Sequence, residues 1–224
     1  MNVEIRVSAS AEAARDAAAE LLAHATQRGG HVALSGGSTP RPAYEAAARL
    51  EPAWSRVELW WADERCVPPD DERSNYRLVR ESLLDRLDKG AAIEHRIRGE
   101  LAPEKAAEAY EAELRGVVFD LVLLGIGPDG HTASLFPNDP ALEELRRRAV
   151  AVRRADVDRV TVTIPPLNAS ETIVFLVVGA EKAPAAARAF TGKPDPATPA
   201  SLVRSASGTT IALLDRAAAA GLPT

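Results

Sequence analysis

The sequence has a single cysteine, Cys66, and very few aromatic residues. One cysteine cannot form an internal disulfide, and it cannot supply a cysteine-rich zinc site or a cysteine-ligated cluster. Phenylalanine, tryptophan and tyrosine together make up only 4% of the chain. The core must therefore consist mostly of alanine, valine and leucine, so the few aromatic side chains gain interest.

An excess of basic charge, long apolar runs and a recognisable secretory signal are also missing. The formal net charge is -5, whereas a protein that coats nucleic acid needs a basic surface to neutralise phosphates. No apolar run approaches the length of a membrane span, and the chain does not begin with basic residues followed by an apolar stretch. We therefore expect a cytoplasmic protein without nucleic-acid or membrane partners, as a monomer or a weak homo-oligomer.

Apolar runs of strand length alternate with helical patterns along the chain. Strands are predicted at residues 3–7, 31–35, 57–62, 117–125, 149–152, 160–164, 172–178 and 210–214. Helices are predicted at 10–28, 41–50, 75–87, 103–115, 181–190 and 215–220, and loops at 63–73 and 191–199. The alternation indicates an α/β protein with a largely parallel sheet. Since no composition shift marks a boundary, we expect a single domain over residues 1–224.

The first polar loop follows the second predicted strand and reads SGGSTP at 35–40. Ligands of open α/β sheets bind at the carboxyl ends of strands. Gly36 and Gly37 let backbone N–H groups approach a ligand, Ser38 and Thr39 add hydroxyls, and a helix follows. These features suit a phosphate, although no lysine follows as in a Walker A loop. They equally suit a tight turn with serine and threonine capping.

A second polar stretch, DERCVP at 63–68 followed by SNYR at 74–77, comes after the third predicted strand. Arg65 can hold a phosphate or carboxylate through its planar fork, and Asp63 can orient a sugar hydroxyl or a base. A solvated loop closed by an ion pair is the alternative interpretation. Cys66 has no histidine near it in sequence, so a packing thiol is favoured over a nucleophile.

The third stretch, GIGPDGHTASLFP at 125–137, follows the most apolar predicted strand. Its glycines match the G-x-G-x-x-G spacing of dinucleotide-binding loops, but Pro128-Asp129-Gly130 indicates a turn loaded with polar groups. Asp129, two residues before His131, can place a carboxylate beside the imidazole. Such a pair fixes the ring and makes a general base.

Two further cations lie at element ends. Lys182 stands in the first turn of a predicted helix, where it opposes the helix dipole and so favours a nearby anion; an ordinary surface lysine is the alternative. Arg159 precedes the strand predicted at 160–164. No two histidines have metal-ligand spacing, so no metal site is expected.

Together these motifs closely resemble the lactonases of the glucosamine-6-phosphate isomerase/6-phosphogluconolactonase family. The resemblance rests on SGGSTP (35–40), DER-x-VP (63–68), SNYR (74–77), GIGPDGHTASLFP (125–137), RVT (159–161), P-x-LN (165–168) and GAEKA (179–183). It implies a three-layer α/β sandwich with a mostly parallel central sheet, similar to the glucosamine-6-phosphate deaminase fold. It also implies hydrolysis of 6-phospho-D-glucono-1,5-lactone to 6-phospho-D-gluconate, in the oxidative pentose phosphate pathway, without cofactor or metal.

In the expected mechanism, His131 acts as a general base that takes a proton from the attacking water, and Asp129 orients the imidazole. Backbone N–H groups of the glycine-rich turn, or Arg65, stabilise the oxyanion. How Arg65, Arg159 and Lys182 divide the phosphate contacts is left open, as is a lid role for residues 191–199. The expected substrate-binding residues are Gly36, Gly37, Ser38, Thr39, Asp63, Arg65, Asn75, Gly127, Arg159 and Lys182.

Proteins with two other functions have motifs similar to these. Deaminases look like DGHIAFNEP, with a glutamate five residues after the histidine that supports ring opening; here that position is Phe136. Their Asp-Glu-Tyr appears here as Asp63-Glu64-Arg65, and both departures favour the lactonase. Sugar-phosphate sensor domains of transcription regulators are also similar. Those follow a DNA-binding helix-turn-helix, which is not expected here because the first predicted strand begins at residue 3.

Overall fold

The computed structural model describes residues 3–51, 53–88 and 93–222. These residues form strands and α-helices numbered below in chain order. Strands β1 to β10 are Val3–Ser8, Gly30–Leu34, Val57–Trp61, Asp63–Arg65, Ile93–His95, Leu121–Leu124, Ala149–Val152, Arg159–Val162, Thr172–Val177 and Thr209–Asp215. Helices α1 to α6 are Ala11–Arg28, Arg41–Leu50, Asn75–Ser82, Pro103–Glu113, Ile164–Asn168 and Ala183–Thr191. Short 3-10 helices lie at Leu84–Arg86, Pro140–Glu143, Ala180–Lys182, Pro199–Leu202 and Ala218–Gly221.

The central sheet is parallel, in the strand order β1-β10-β9-β6-β2-β3-β5. Every residue of β6 is buried, as a strand covered on both faces must be. Helices lie on both sides of the sheet, so the predicted three-layer arrangement is confirmed. Because the strands run in one direction, the segments that follow β2, β3, β6 and β9 meet at one edge.

Small side chains let the helices approach closely. Helix α1 begins at Ser10, whose hydroxyl accepts a hydrogen bond from the N–H of Ala13 (3.1 Å), and ends at Gly29. The buried faces of α1 and α2 are mostly alanine, and the two helices contact each other. The alanine-rich core expected from the composition is therefore present, with Trp54, Trp60 and Trp61 filling the larger spaces.

A second sheet corrects the prediction of a loop over residues 63–73. Asp63–Arg65 form strand β4, which pairs antiparallel with β8, and β8 pairs in turn with β7. The three charged residues of β4 carry no apolar alternation, so only the pairing with β8 reveals the strand. Residues 66–73 do remain outside strands and helices.

Several predicted boundaries are also wrong. The strand predicted at 117–125 is confined to Leu121–Leu124, because Val117 and Phe119 are buried in the core without joining a ladder. The helix predicted at 75–87 ends at Ser82, and a 3-10 turn follows. The helix predicted at 215–220 is a 3-10 turn, because Asp215 still belongs to β10 and accepts a hydrogen bond from the N–H of Ala218 (2.8 Å).

Two short elements had no counterpart among the predictions. Strand β5 has only three residues, and α5 begins with consecutive prolines that read as a loop in the sequence. Within the described residues, no helix has both the length and the apolar character needed to cross a membrane.

Candidate active site

A cavity of about 210 Å³ opens at the carboxyl edge of the parallel sheet. Four stretches of chain line it: the loop after β2, strand β4 with the start of α3, the turn after β6, and the end of β9 with the 3-10 helix that follows. The lining residues are Ser35, Gly36, Gly37, Ser38, Thr39, Pro40, Asp63, Arg65, Asn75, Gly125, Ile126, Gly127, His131, Ala133, Leu176, Val177, Val178 and Lys182. The structure thus brings together every predicted substrate-binding residue except Arg159.

A larger groove of about 830 Å³ lies between α4 and β7. Acidic side chains of α4 line one wall, and apolar residues of β7 line the other. No histidine, lysine, serine or cysteine is among its lining residues, so it offers neither an imidazole base nor a hydroxyl, thiol or amine nucleophile of these types. The smaller cavity, which holds the predicted chemical groups, is the candidate active site.

The loop after β2 presents backbone and hydroxyl donors to the cavity. It leads directly into α2, and no side chain caps the first turn of that helix, which begins after Pro40. The positive end of the helix dipole therefore lies next to Ser38 and Thr39, which line the cavity. Gly36 is required for a different reason: a Cβ there would lie 1.8 Å from Oδ1 of Asn75.

The turn after β6 holds a carboxylate–imidazole pair. Nδ1 of His131 lies 2.6 Å from Oδ1 of Asp129, which also accepts a hydrogen bond from the backbone N–H of His131 (3.1 Å). A Cβ at Gly127 would lie 2.1 Å from Nδ1 of His131, so the glycine makes room for the ring. Phe136 packs against the imidazole with ring centroids 4.8 Å apart. The ring is thus held from three sides.

Charge fixes the tautomer of His131. Burial raises the pKa of Asp129, but hydrogen bonds from the backbone and ring of His131, together with attraction to that ring, outweigh burial and lower it. An ionised Asp129 can only accept, so in the neutral ring the proton of His131 lies on Nδ1 and the lone pair is on Nε2. With 32% of its side chain exposed, His131 can take a proton at Nε2 from a molecule in the cavity.

Asp63 lines the cavity, but neighbours occupy its carboxylate. Oδ2 accepts a hydrogen bond from the hydroxyl of Ser134 (2.7 Å), and Oδ1 accepts one from Nδ2 of Asn75 (3.2 Å). All three residues are buried. Asp63 therefore links the start of α3 to the turn that carries His131, and its geometry suits positioning better than proton transfer.

Glu64 was not singled out from the sequence, yet it holds two cavity residues in place. Its carboxylate accepts hydrogen bonds from the backbone N–H groups of Arg65, Asn75 and Tyr76 (2.7 Å each) and from the Ser74 hydroxyl (3.0 Å). Burial raises the pKa of Glu64 to about 7, against these hydrogen bonds, which lower it. The sequence pattern that could have identified Glu64 is its position ten residues before Ser74, the serine that caps α3.

The three predicted cations are placed differently. Arg65 lines the cavity; one of its terminal nitrogens donates to the carbonyl of Arg73, while Nε has no partner among the described residues. Lys182 also lines the cavity. Arg159 does not: its guanidinium is bound to the carboxylate of Asp156 (2.8 and 3.0 Å) and to the carbonyl of Val157.

The turn that carries Lys182 is fixed by a buried carboxylate that the sequence did not reveal. Asp215, at the end of β10, accepts a hydrogen bond from the N–H of Gly179 (3.2 Å) as well as from Ala218. This contact joins the ends of β9 and β10 just before the lysine. Asp215 therefore belongs to the support of the cavity rather than to its lining.

Residues 191–199, a candidate lid, lie against the turn after β6 instead of over the cavity. None of them lines it. Pro196 accepts a hydrogen bond from the N–H of Asn138 (3.0 Å), and Thr198 is buried against Gly130. The segment supports the turn from outside.

Cys66 is half-buried outside the cavity, and burial raises the pKa of its thiol to about 11. A thiol with so high a pKa is protonated at neutral pH and is a poor nucleophile. Within the part of the chain that the structure describes, no group of three or more metal-ligating side chains is arranged to hold a metal ion.

Known proteins are similar to this chain in sequence and in fold. The profile of a family described as glucosamine-6-phosphate isomerases/6-phosphogluconolactonase matches residues 6–212. The chain belongs to this family. A 6-phosphogluconolactonase of Synechocystis sp. is 41% identical over 204 residues, which cover 86% of this chain and 85% of the relative.

Solved structures of the family extend the likeness to the fold. The crystal structure of a 6-phosphogluconolactonase from Thermotoga maritima has a TM-score of 0.85 and 31% identity, covering 96% of this chain and 100% of its own. A monomeric glucosamine-6-phosphate deaminase has a TM-score of 0.86 with 20% identity, covering 98% and 100%. The predicted likeness to the deaminase fold is therefore confirmed, and both branches of the family share one scaffold.

Proposed function

We propose that this family member hydrolyses 6-phospho-D-glucono-1,5-lactone to 6-phospho-D-gluconate, with His131 as the general base. The observation that carries the proposal is the His131–Asp129 pair, which faces a cavity that also contains an uncapped helix start and two cations. The lactonase names of the relatives support the same reaction. We also propose that residues 1–224 act as one cytoplasmic domain, as a monomer or a weak homo-oligomer.

The chemical step needs a base, a positioned water and charge stabilisation. Nε2 of His131 takes a proton from water as the oxygen attacks the lactone carbonyl, while Asp129 stabilises the imidazolium that forms. The oxyanion accepts hydrogen bonds from N–H groups of the glycine-rich turn or from the guanidinium of Arg65. When the ring C–O bond breaks, the imidazolium returns the proton to the departing ring oxygen, which becomes a hydroxyl group.

The phosphate lies away from the reacting carbon and supplies binding energy. We assign it to the loop Gly37–Thr39, to the start of α2 and to Lys182, all at one part of the sheet edge. Arg159 is not assigned to the phosphate, because Asp156 already binds its guanidinium. Holding a remote group lets binding energy position the reacting carbonyl.

Lactone hydrolysis is favoured over deamination by what surrounds the imidazole. Phe136 occupies the position where deaminases carry a glutamate, and it packs on the His131 ring. An apolar ring there cannot assist ring opening by proton transfer. The buried contacts of Asp63 with Asn75 and Ser134 leave that carboxylate less available as a second base.

A coupled assay tests the proposal directly. Freshly prepared lactone is supplied, and 6-phosphogluconate is detected through its dehydrogenase against a blank without enzyme, because the lactone also hydrolyses unaided. We expect a rate well above the blank that survives a chelator, and no ammonia from glucosamine 6-phosphate. Ammonia release at a comparable rate would assign the chain to the deaminase branch, and inactivity on both substrates would favour a sensor.

A further inference from the structure

Strand β1 is an open edge of the central sheet. It pairs on one side with β10, and no other strand among the described residues pairs with its outer side. In a parallel ladder alternate residues bond to the neighbouring strand, so about half of the N–H and C=O groups of β1 point outward. Four of its six residues are exposed, among them Ile5 and Val7, which are 38% and 53% exposed. Backbone hydrogen-bonding groups and apolar side chains are therefore both available at this edge.

The other sheet edges are shorter or partly occupied. Strand β5, at the opposite end of the central sheet, has only three residues. In the second sheet, the carbonyl of Asp63 in β4 accepts a hydrogen bond from Nδ2 of Asn75 (2.9 Å). At the start of β7, the N–H of Ala149 donates to the carboxylate of Glu111 (2.8 Å). Short strands and covered backbone groups keep sheet edges from pairing with other chains, and β1 has neither protection.

The sequence of β1 is complementary to itself when two copies run antiparallel. With Ile5 opposite Ile5 of a second copy, Glu4 faces Arg6 and Val3 faces Val7, and each of these two pairs occurs twice. Residues directly opposite each other in an antiparallel ladder lie on the same face, with Cβ atoms about 4.5–5.5 Å apart. One face of the joined strands is then apolar throughout, and the other brings opposite charges together. A two-fold axis at Ile5 produces this register.

The charges of β1 favour this pairing instead of preventing it. Edge strands often resist association through like charges, because the same charge on two copies repels. Here Glu4 and Arg6 form an ion pair within the strand (2.8 Å), with 52% and 44% of their side chains exposed. Since both charges remain in water, each can exchange its partner for the equivalent residue of a second copy at little cost. The backbone hydrogen bonds and the apolar contacts across the new ladder are then a net gain.

We infer that β1 is a homodimer interface, in which two copies of this chain pair their β1 strands antiparallel about Ile5 and join their central sheets into one. The inference does not depend on the proposed function, because no residue of β1 is among those that line the cavity. A contact made by one six-residue strand on each side is small beside the roughly 1,200–2,000 Å² that stable interfaces bury. The dimer should therefore dissociate on dilution.

Analytical ultracentrifugation of the whole chain tests the inference. The weight-average mass of the wild type should rise from 23.8 kDa toward twice that value as the concentration increases. Glu4→Arg and Arg6→Glu each place like charges opposite one another in both cross-strand pairs, so each variant alone should have an association constant about 10- to 100-fold lower. An equimolar mixture of the two variants should dimerise again, because a strand with two arginines then faces a strand with two glutamates.

The mixture also shows that both variants are folded, since two misfolded proteins could not restore each other's pairing. Lys105→Glu is the matched control: it reverses one charge of an exposed ion pair on α4, with Glu108 (3.0 Å), and should dimerise as the wild type does. A wild type that stays at 23.8 kDa up to about 1 mM would overturn the inference. Dimers of unchanged strength in both single variants, or a mixture no stronger than its components, would also overturn it, because the contact would then lie on another surface.

Discussion

The two glycine-containing loops of the cavity are built on different principles. The loop after β2 offers backbone N–H groups, hydroxyls and the start of α2, and its side chains carry no charge. The turn after β6 offers one imidazole, held by Asp129 at 2.6 Å and by Phe136. Backbone donors arranged around an anion suit binding, whereas an oriented side chain with a free lone pair suits proton transfer.

This difference teaches how one cavity can separate affinity from rate. A substrate with its phosphate on the loop after β2 keeps its binding contacts even if the imidazole is removed. Conversely, damage at the phosphate end leaves the base in place. A substitution on one side of this division should therefore leave the other side largely intact.

The largest effect is expected for His131→Ala. Loss of a positioned general base typically lowers kcat by about 100- to 10,000-fold. Affinity for 6-phosphogluconate, measured by calorimetry, should stay near the wild-type value because the phosphate is bound elsewhere. His131→Gln should be almost as slow, since an amide cannot take the proton. A folded His131→Ala protein with nearly normal kcat would remove the imidazole from the mechanism.

Next come two glycine variants that differ in the loop they disturb. In Gly127→Ala, the new Cβ would lie 2.1 Å from Nδ1 of His131, so the ring must leave Asp129. We expect kcat to fall by about 100-fold, as displacements near 1 Å can cause. In Gly36→Ala, the Cβ would displace the Asn75 side chain and disturb the loop after β2 instead, so KM should change more than kcat. Equal losses of kcat in both variants would contradict the division between the loops.

The cavity loops could be found from the sequence because their signals are local. Glycine, serine and threonine directly after an apolar strand identify the loop after β2, and the Asp129–His131 spacing indicates a carboxylate beside an imidazole. Parallel strands then bring these loops to one edge without further information. The order of strands within the sheet is a different matter, since it depends on pairings that no local pattern shows.

The supporting contacts could not be predicted, because they join distant parts of the chain. Ser134 and Asp63 are 71 positions apart, and the bond between them depends on β4, a strand with no apolar pattern. The orientation of the Asn75 amide depends on the same strand. Arg159 is the opposite case, because its partner is close in sequence. Asp156, three residues earlier, forms an ion pair with the Arg159 guanidinium, so the sequence alone could have indicated that this cation is not available to a phosphate.

The third prediction compares two cations. Lys182→Ala should raise KM by about 10- to 100-fold with little change in kcat, because loss of one charge-assisted contact to a phosphate typically costs about 1.5–3 kcal/mol. Arg159→Ala is the matched control, since Asp156 binds that guanidinium outside the cavity lining. It should keep KM within about two- to threefold of the wild type. Gluconolactone without a phosphate should be a much poorer substrate for the wild type but should be affected little by Lys182→Ala.

The smallest effect concerns Glu64, which supports the binding side of the cavity through Arg65 and Asn75. Burial raises its pKa to about 7, above the value of about 4.3 in an unfolded chain, so the folded state binds the proton more tightly. Stability must then fall as pH rises between these two values, and ionisation is nearly complete above the upper one. Between pH 6 and 8 we expect a loss of about 1 kcal/mol, or about 2–4 °C in Tm. Glu64→Gln lacks this titration, so the difference in Tm between wild type and variant should change by that amount over the same range. A difference independent of pH would show that the four hydrogen bonds keep Glu64 ionised throughout, and the support of the binding side would then be insensitive to pH.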